Sequence, residues 1–161
     1  MTLSFRIKHY FYHAFRELFV YHHSSLEFRA KIFALVILAD DIDKAESYDI
    51  VKNAGLKIYK NDENRTNLLI SNTKELVKRI REGDALQEDK LITNIQQELK
   101  IIPRFAKKID ITELEPFMKL SFNQDTIAYQ KNIIEFLETI KEDILHEKRD
   151  QITQDEEALK S

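Results

Sequence analysis

Residues 24–46 read Ser24-Ser25-Leu26-Glu27-Phe28-Arg29-Ala30-Lys31-Ile32-Phe33-Ala34-Leu35-Val36-Ile37-Leu38-Ala39-Asp40-Asp41-Ile42-Asp43-Lys44-Ala45-Glu46, and they decide the fold. From Ala30 to Ala39 apolar side chains occupy almost every position rather than one stripe, the pattern of a helix covered on all sides. The uninterrupted apolar run, Ile32 to Ala39, is eight residues long, too short to span a bilayer. Ser24 and Glu27 have capping-box spacing, which predicts a helix from about residue 25 to 39. Asp43 and Glu46 repeat that spacing and open a second helix, to about Lys60.

Outward from this central helix the same spacing recurs. Tyr48, Val51, Ala54 and Ile58 form the inner side of the second helix. Leu69, Leu76, Val77 and Ile80 mark a third, stopped by Gly83. Leu91, Ile92, Ile95, Leu99 and Ile102 mark a fourth, stopped by Pro103. Asp110 to Glu113 starts a short helix containing Leu114, Phe117 and Met118. Asn123 or Asp125 caps a last long helix in which Ile133, Leu137, Ile140 and Ile144 alternate by four and three. Two glycines, two prolines and 33% charged residues also favour long helices with short connections.

The sequence therefore predicts a single all-α bundle of about six or seven helices. Its expected core is Phe33, Leu35, Ile37, Val51, Leu69, Leu76, Ile80, Ile92, Ile95, Leu99, Phe117, Ile133, Leu137 and Ile140. Three segments follow. Residues 1–23 form an aromatic-rich N-terminal helix packing on the bundle or a partner, residues 24–146 the bundle, and residues 147–161 a charged tail. Apolar residues nearly vanish in that tail, so it is expected to be frayed or disordered.

Composition removes several function classes. Without cysteine there are no disulfides, zinc-thiolate sites or thiol nucleophiles. Gly55 and Gly83 are the only glycines, so no glycine-rich phosphate loop exists. No Glu-x-x-His unit occurs, as di-iron bundles require. Residues 1–80 carry 13 Lys+Arg against 10 Asp+Glu and residues 81–161 carry 12 against 18. That is no dense basic stripe, and a nucleic-acid partner is not expected. The first residues have no small-residue cleavage site, and a cytoplasmic location is expected.

Four carboxylates, Asp40, Asp41, Asp43 and Glu46, fall within seven residues between the first two helices of the bundle. Hard cations take several oxygen ligands from one small volume, and this turn offers such a shell to a divalent cation such as calcium. Asp40 and Asp43 flank the turn and are the expected main ligands, with Asp41 and Glu46 auxiliary. Helix capping and the helix dipole account for Asp43 and Glu46 as well. Both readings stand at this point.

The N-terminal segment holds seven of the 16 aromatics and four of the five histidines. Phe5, Tyr12, Phe15 and Phe19 form a second apolar stripe beside Leu3, Ile7, Tyr10, Phe11, Ala14, Leu18 and Tyr21. Aromatic side chains are favoured interface anchors, so this face is expected to meet a protein partner or a second copy as a homodimer. A membrane surface is the alternative, disfavoured by scarce Lys on the polar face. His9, His13 and Glu17 lie four residues apart, a spacing open to transition-metal chelation or to simple solvation.

Phe28 to Asp40, followed by Ile42, Asp43 and Glu46, resembles the core signature of tellurite-resistance TerB-like domains: an Ala-rich apolar helix ending Ala-Asp, an acidic turn, and a helix beginning near Glu. The likeness covers roughly residues 25–143. Its second copy, Ile111 to Phe136, is fainter, turning at Phe122-Asn123-Gln124-Asp125. Asp41 stands where the family carries Gly. The resemblance implies a non-enzymatic, metal-associated stress-response binding module without catalytic residues, with an adapter or co-chaperone role as the alternative. Arg16 with His22, or Arg6 with His13, is similar in spacing to the HEPN-type ribonucleases. That more distant likeness would imply a His acting on the 2′-hydroxyl and an Arg on the phosphate.

Overall fold

The computed structural model describes residues 20–84 and 86–160. Among them six α-helices and two 3₁₀ segments follow one another. They are α1 Val20–Leu38, α2 Ala45–Ile58, α3 Glu63–Glu82, α4 Leu86–Ile101, a first 3₁₀ segment Pro103–Lys108, α5 Ile111–Leu114, a second 3₁₀ segment Glu115–Leu120, and α6 Gln124–Lys160. No strand occurs among the described residues, and the architecture is the expected all-α bundle.

α1 is its axle. Leu26, Phe28, Ala30 and every residue from Ile32 to Ala39 are buried, because α3, α4, α6 and the first 3₁₀ segment pack around this one helix. α4 runs antiparallel to it: Lys31 Nζ donates to Asn94 Oδ1 and Glu98 Oε2, both at 2.7 Å, while Phe28 meets Phe105 beyond the end of α4, with ring centroids 5.2 Å apart. Phe33 lies against Phe117 at 6.1 Å, and the Gln130 amide of α6 donates to the Val36 carbonyl at 3.4 Å. Of the expected core, Leu76, Ile80, Ile92 and Ile140 are half-buried against it and the others fully buried.

Three local expectations are corrected. Ser24-Ser25 does not start a helix, since α1 already runs through it from Val20. Serine inside a helix costs a few tenths of a kcal/mol, little against the burial of the turns that follow. α2 begins after Lys44 without a side-chain cap, because Asp43 is drawn away to Arg81. Pro103 ends α4 as expected, and the chain goes on as a 3₁₀ turn that buries Phe105 and Ala106. Finally, residues 147–160 are helical. Good helix formers and i,i+4 pairs, His146 with Asp150 at 3.0 Å and Gln151 with Asp155 at 2.9 Å, carry α6 onward. From His146 to Lys160 every residue is exposed; as far as Ile152 the helix still borders the end of α4, and it runs on beyond for eight residues, about 12 Å at 1.5 Å per residue.

Candidate functional site

The acidic corner is built at the end of α1. The amides of Ala39 and Asp40 still reach back to the carbonyls of Val36 and Ile37, at 3.3 and 3.1 Å, which closes the last turn. The Asp40 carboxylate folds inward over the chain that follows: Oδ1 accepts the Ile42 amide at 3.0 Å and Oδ2 meets Lys44 Nζ at 2.8 Å. The same ammonium donates to the Leu120 carbonyl at 3.0 Å. Lys44 thus ties the acidic turn to the end of the second 3₁₀ segment.

Arg81, in the last turn of α3, closes the corner from the other side. Its Nη2 donates to the Asp40 carbonyl oxygen at 2.7 Å and its Nε to Asp43 Oδ1 at 3.0 Å. Burial pushes the Asp40 carboxyl up. The Lys44 hydrogen bond, the Ile42 amide and the charges of Lys44 and Arg81 together outweigh it and hold the group below its ordinary value. Two carboxylates and two cations join the ends of α1, α3 and the second 3₁₀ segment to the start of α2.

Asp41 and Glu46 face solvent. The side chains expected as the main cation ligands, Asp40 and Asp43, meet protein cations instead. Among the described residues no three His, Cys, Asp or Glu side chains come together as a metal-holding group. Beside the corner, Leu38, Asp41, Arg81, Gly83, Asp84 and Glu88 border an open recess of about 430 Å³. There Tyr129 donates its hydroxyl to Glu88 at 2.8 Å. Partial burial, the hydrogen bond and the nearby charges of Glu88 and Asp89 push Tyr129 up to about 12.

Lys44 and Arg81 are the residues that sequence reading missed. Lys44 had a signal, its four-residue spacing from Asp40; Arg81, 41 residues from Asp40, had none.

A second concave surface lies where α4 ends against α6. A groove of about 630 Å³ has Leu99, Ile102, Ile144 and Ile152 among its apolar lining, with Lys100, Arg104 and Lys148 as its cations. Farther along the 3₁₀ segment, burial and the charges of Arg29 and Arg104 push Lys108 down, the behaviour of cations gathered without enough counter-charge.

The expected interface stripe Phe5, Tyr12, Phe15 and Phe19, the His9–His13–Glu17 line and the side chains of both Arg–His pairs lie outside the described residues. Among the described residues no helix is long and apolar enough to cross a membrane. No protein-family model, curated protein or solved structure matches the chain.

Proposed function

We propose that the chain is a non-enzymatic binding module, TerB-like in its sequence signature, that works by holding a protein partner. One observation carries this reading: the bundle ends in a helix whose last 15 residues, His146 to Lys160, are exposed throughout. Ordering such a helix stabilises the bundle little, since nothing apolar on it reaches the core, whereas it offers a rigid face to another molecule. The stress-response link rests on the resemblance alone.

The cation reading of the acidic corner belongs to the same proposal in a subordinate place. A divalent ion there would have to displace Lys44 from Asp40 and Arg81 from Asp43. Titration with calcium, manganese and zinc under a thermal-shift readout tests it, with Asp40→Asn/Asp43→Asn as control. A shift in the wild type that the double variant loses makes the module a cation binder first. No shift in either leaves protein contact as its work. RNA cleavage by the full chain, lost in His22→Ala, would overturn the non-enzymatic reading.

A further inference from the structure

We propose that the projecting half of α6 pairs antiparallel with the same segment of a second copy, on a two-fold axis at Ile152. The surface is a stripe along the exposed helix. Leu145, Ile152 and Leu159 recur at intervals of seven, so they share one side of it. Leu145 is half-buried on the core, whereas Ile152 and Leu159 are 49% and 88% exposed. An apolar line of this kind, half open at Ile152 and almost wholly open at Leu159, suits one half of a two-helix contact.

Charge says what the other half is. At 100° per residue Lys148 and Asp155, seven apart, lie along one edge of the stripe, and Arg149 and Glu156, also seven apart, along the other. From 148 to 156 each edge is basic toward the bundle and acidic toward the free end, with Lys160 beyond on the Arg149 edge. When two such helices run antiparallel about a two-fold axis, each edge meets its own counterpart reversed. Lys148 then meets Asp155 of the partner subunit, Arg149 meets Glu156 of the partner subunit, and the same pairs form again with the roles exchanged. Leu145 faces Leu159 of the partner subunit, and Ile152 faces its equivalent. Parallel pairing would instead set Lys148 beside a second Arg149 and Asp155 beside a second Glu156, so the pattern rejects that orientation as clearly as it favours the other.

Within one chain the stripe leaves its charges open to this use. Among the described residues Asp155 accepts the neutral amide of Gln151 and pairs with no cation, and the Arg149 Nε donates to the Leu145 carbonyl at 3.3 Å. On the Lys148 edge the groove continues to Lys100 and Arg104, two further cations where the acidic end of the incoming helix arrives. An isologous contact of this kind closes on itself as a dimer and leaves the two bundles at opposite ends.

Sedimentation equilibrium of the full chain tests the proposal, with a salt-sensitive dimer as the expected result. Lys148→Glu/Arg149→Glu sets acid against acid and is expected to weaken association by roughly tenfold to a hundredfold. Adding Asp155→Lys/Glu156→Lys to the same chain reverses both ends of the stripe and is expected to restore it. Because the chain has no cysteine, Ile152→Cys is a clean probe: it should oxidise to a disulfide-linked dimer, whereas Gln154→Cys on the opposite side should not. A chain that stays monomeric at millimolar concentration overturns the proposal. So does a dimer that the double reversal leaves intact, or one that the fourfold variant fails to recover.

Discussion

Arg81 donates from Nη2 to the backbone carbonyl of Asp40 at 2.7 Å, linking two helix ends that stand 41 residues apart in sequence. The carbonyl lies just past the end of α1, where oxygen atoms have no helical partner, and a guanidinium suits the negative end of the helix dipole. Removing the side chain in Arg81→Ala should destabilise the fold by about 1–2 kcal/mol, the range of a part-exposed, charge-assisted hydrogen bond. Arg81→Lys should recover less than half, since one ammonium cannot span both acceptors in the same geometry. Asp43→Ala, which breaks only the exposed arm of the contact, should stay within about 0.5 kcal/mol. Urea unfolding of the three variants checks the order. An Asp43 variant as damaged as the Arg81 variant would put the contact's strength in the wrong place.

Acid should find the corner at Asp40. Its carboxyl lies below the ordinary value in the folded chain, so the folded state holds the proton less tightly than the unfolded state. The stabilisation is therefore complete above the unfolded value near 3.8 and is lost as pH falls through the folded value. In Asp40→Asn that part of the acid sensitivity should be gone, with lower stability at neutral pH and a shallower decline below pH 4. Parallel acid-unfolding curves for wild type and variant would sink the assignment.

α2 crosses α3 closely enough that only glycine fits at residue 55. A methyl group there would stand 2.9 Å from Thr66 Cγ2 and 3.3 Å from its Oγ1. Thr66 is buried, and its hydroxyl is fixed by donation to the Asp62 carbonyl at 2.8 Å. Gly55→Ala gains about 1 kcal/mol in helix propensity but should still cost a net ~1–2 kcal/mol from overpacking. Thr66→Ser removes the clashing methyl and keeps the hydroxyl, so Gly55→Ala/Thr66→Ser should be more stable than the sum of the single changes. A double-mutant cycle with no coupling would show that the helices simply move apart.

Alkaline titration reads the recess beside the corner. Tyr129, pushed up to about 12, keeps its proton while an unfolded tyrosine near 10 loses it. Its contribution to stability is full below pH 10 and is lost as pH rises toward 12. Tyrosinate absorbance should include a component with its midpoint near 12 that is missing in Tyr129→Phe and moved down in Glu88→Gln. A Tyr129→Phe curve that differs from wild type only around pH 10 would refute it.

The architecture was legible because burial imposes a period on sequence. Val51, Leu69, Ile95 and Leu137 sit at the 3/4 spacing that packing demands, and they are where it placed them. Phe105 escaped notice because it lies in a 3₁₀ turn directly after Pro103, where no helical period runs. The tail misled through its polarity: polar residues that bury nothing can still hold a helix through i,i+4 pairs such as His146 with Asp150. In the corner the carboxylates were visible as a cluster. Their partners were not, because a cation brought by α3 from 41 residues away leaves no local trace. Asp43, read as a cap, is recruited by Arg81, an outcome that three-dimensional proximity decides and capping-box spacing cannot.

The all-round burial of α1 also bears on how the chain is made. Its apolar turns leave the ribosome before α3, α4 and α6, the helices that cover them. Gln130, whose amide is a second donor to the Val36 carbonyl, follows it by 94 residues. At about 5–20 residues per second that is a delay of roughly 5–20 s. During synthesis this all-apolar run therefore stays open until the later helices emerge, which makes Phe28 to Ala39 the stretch a nascent-chain chaperone would be expected to grip.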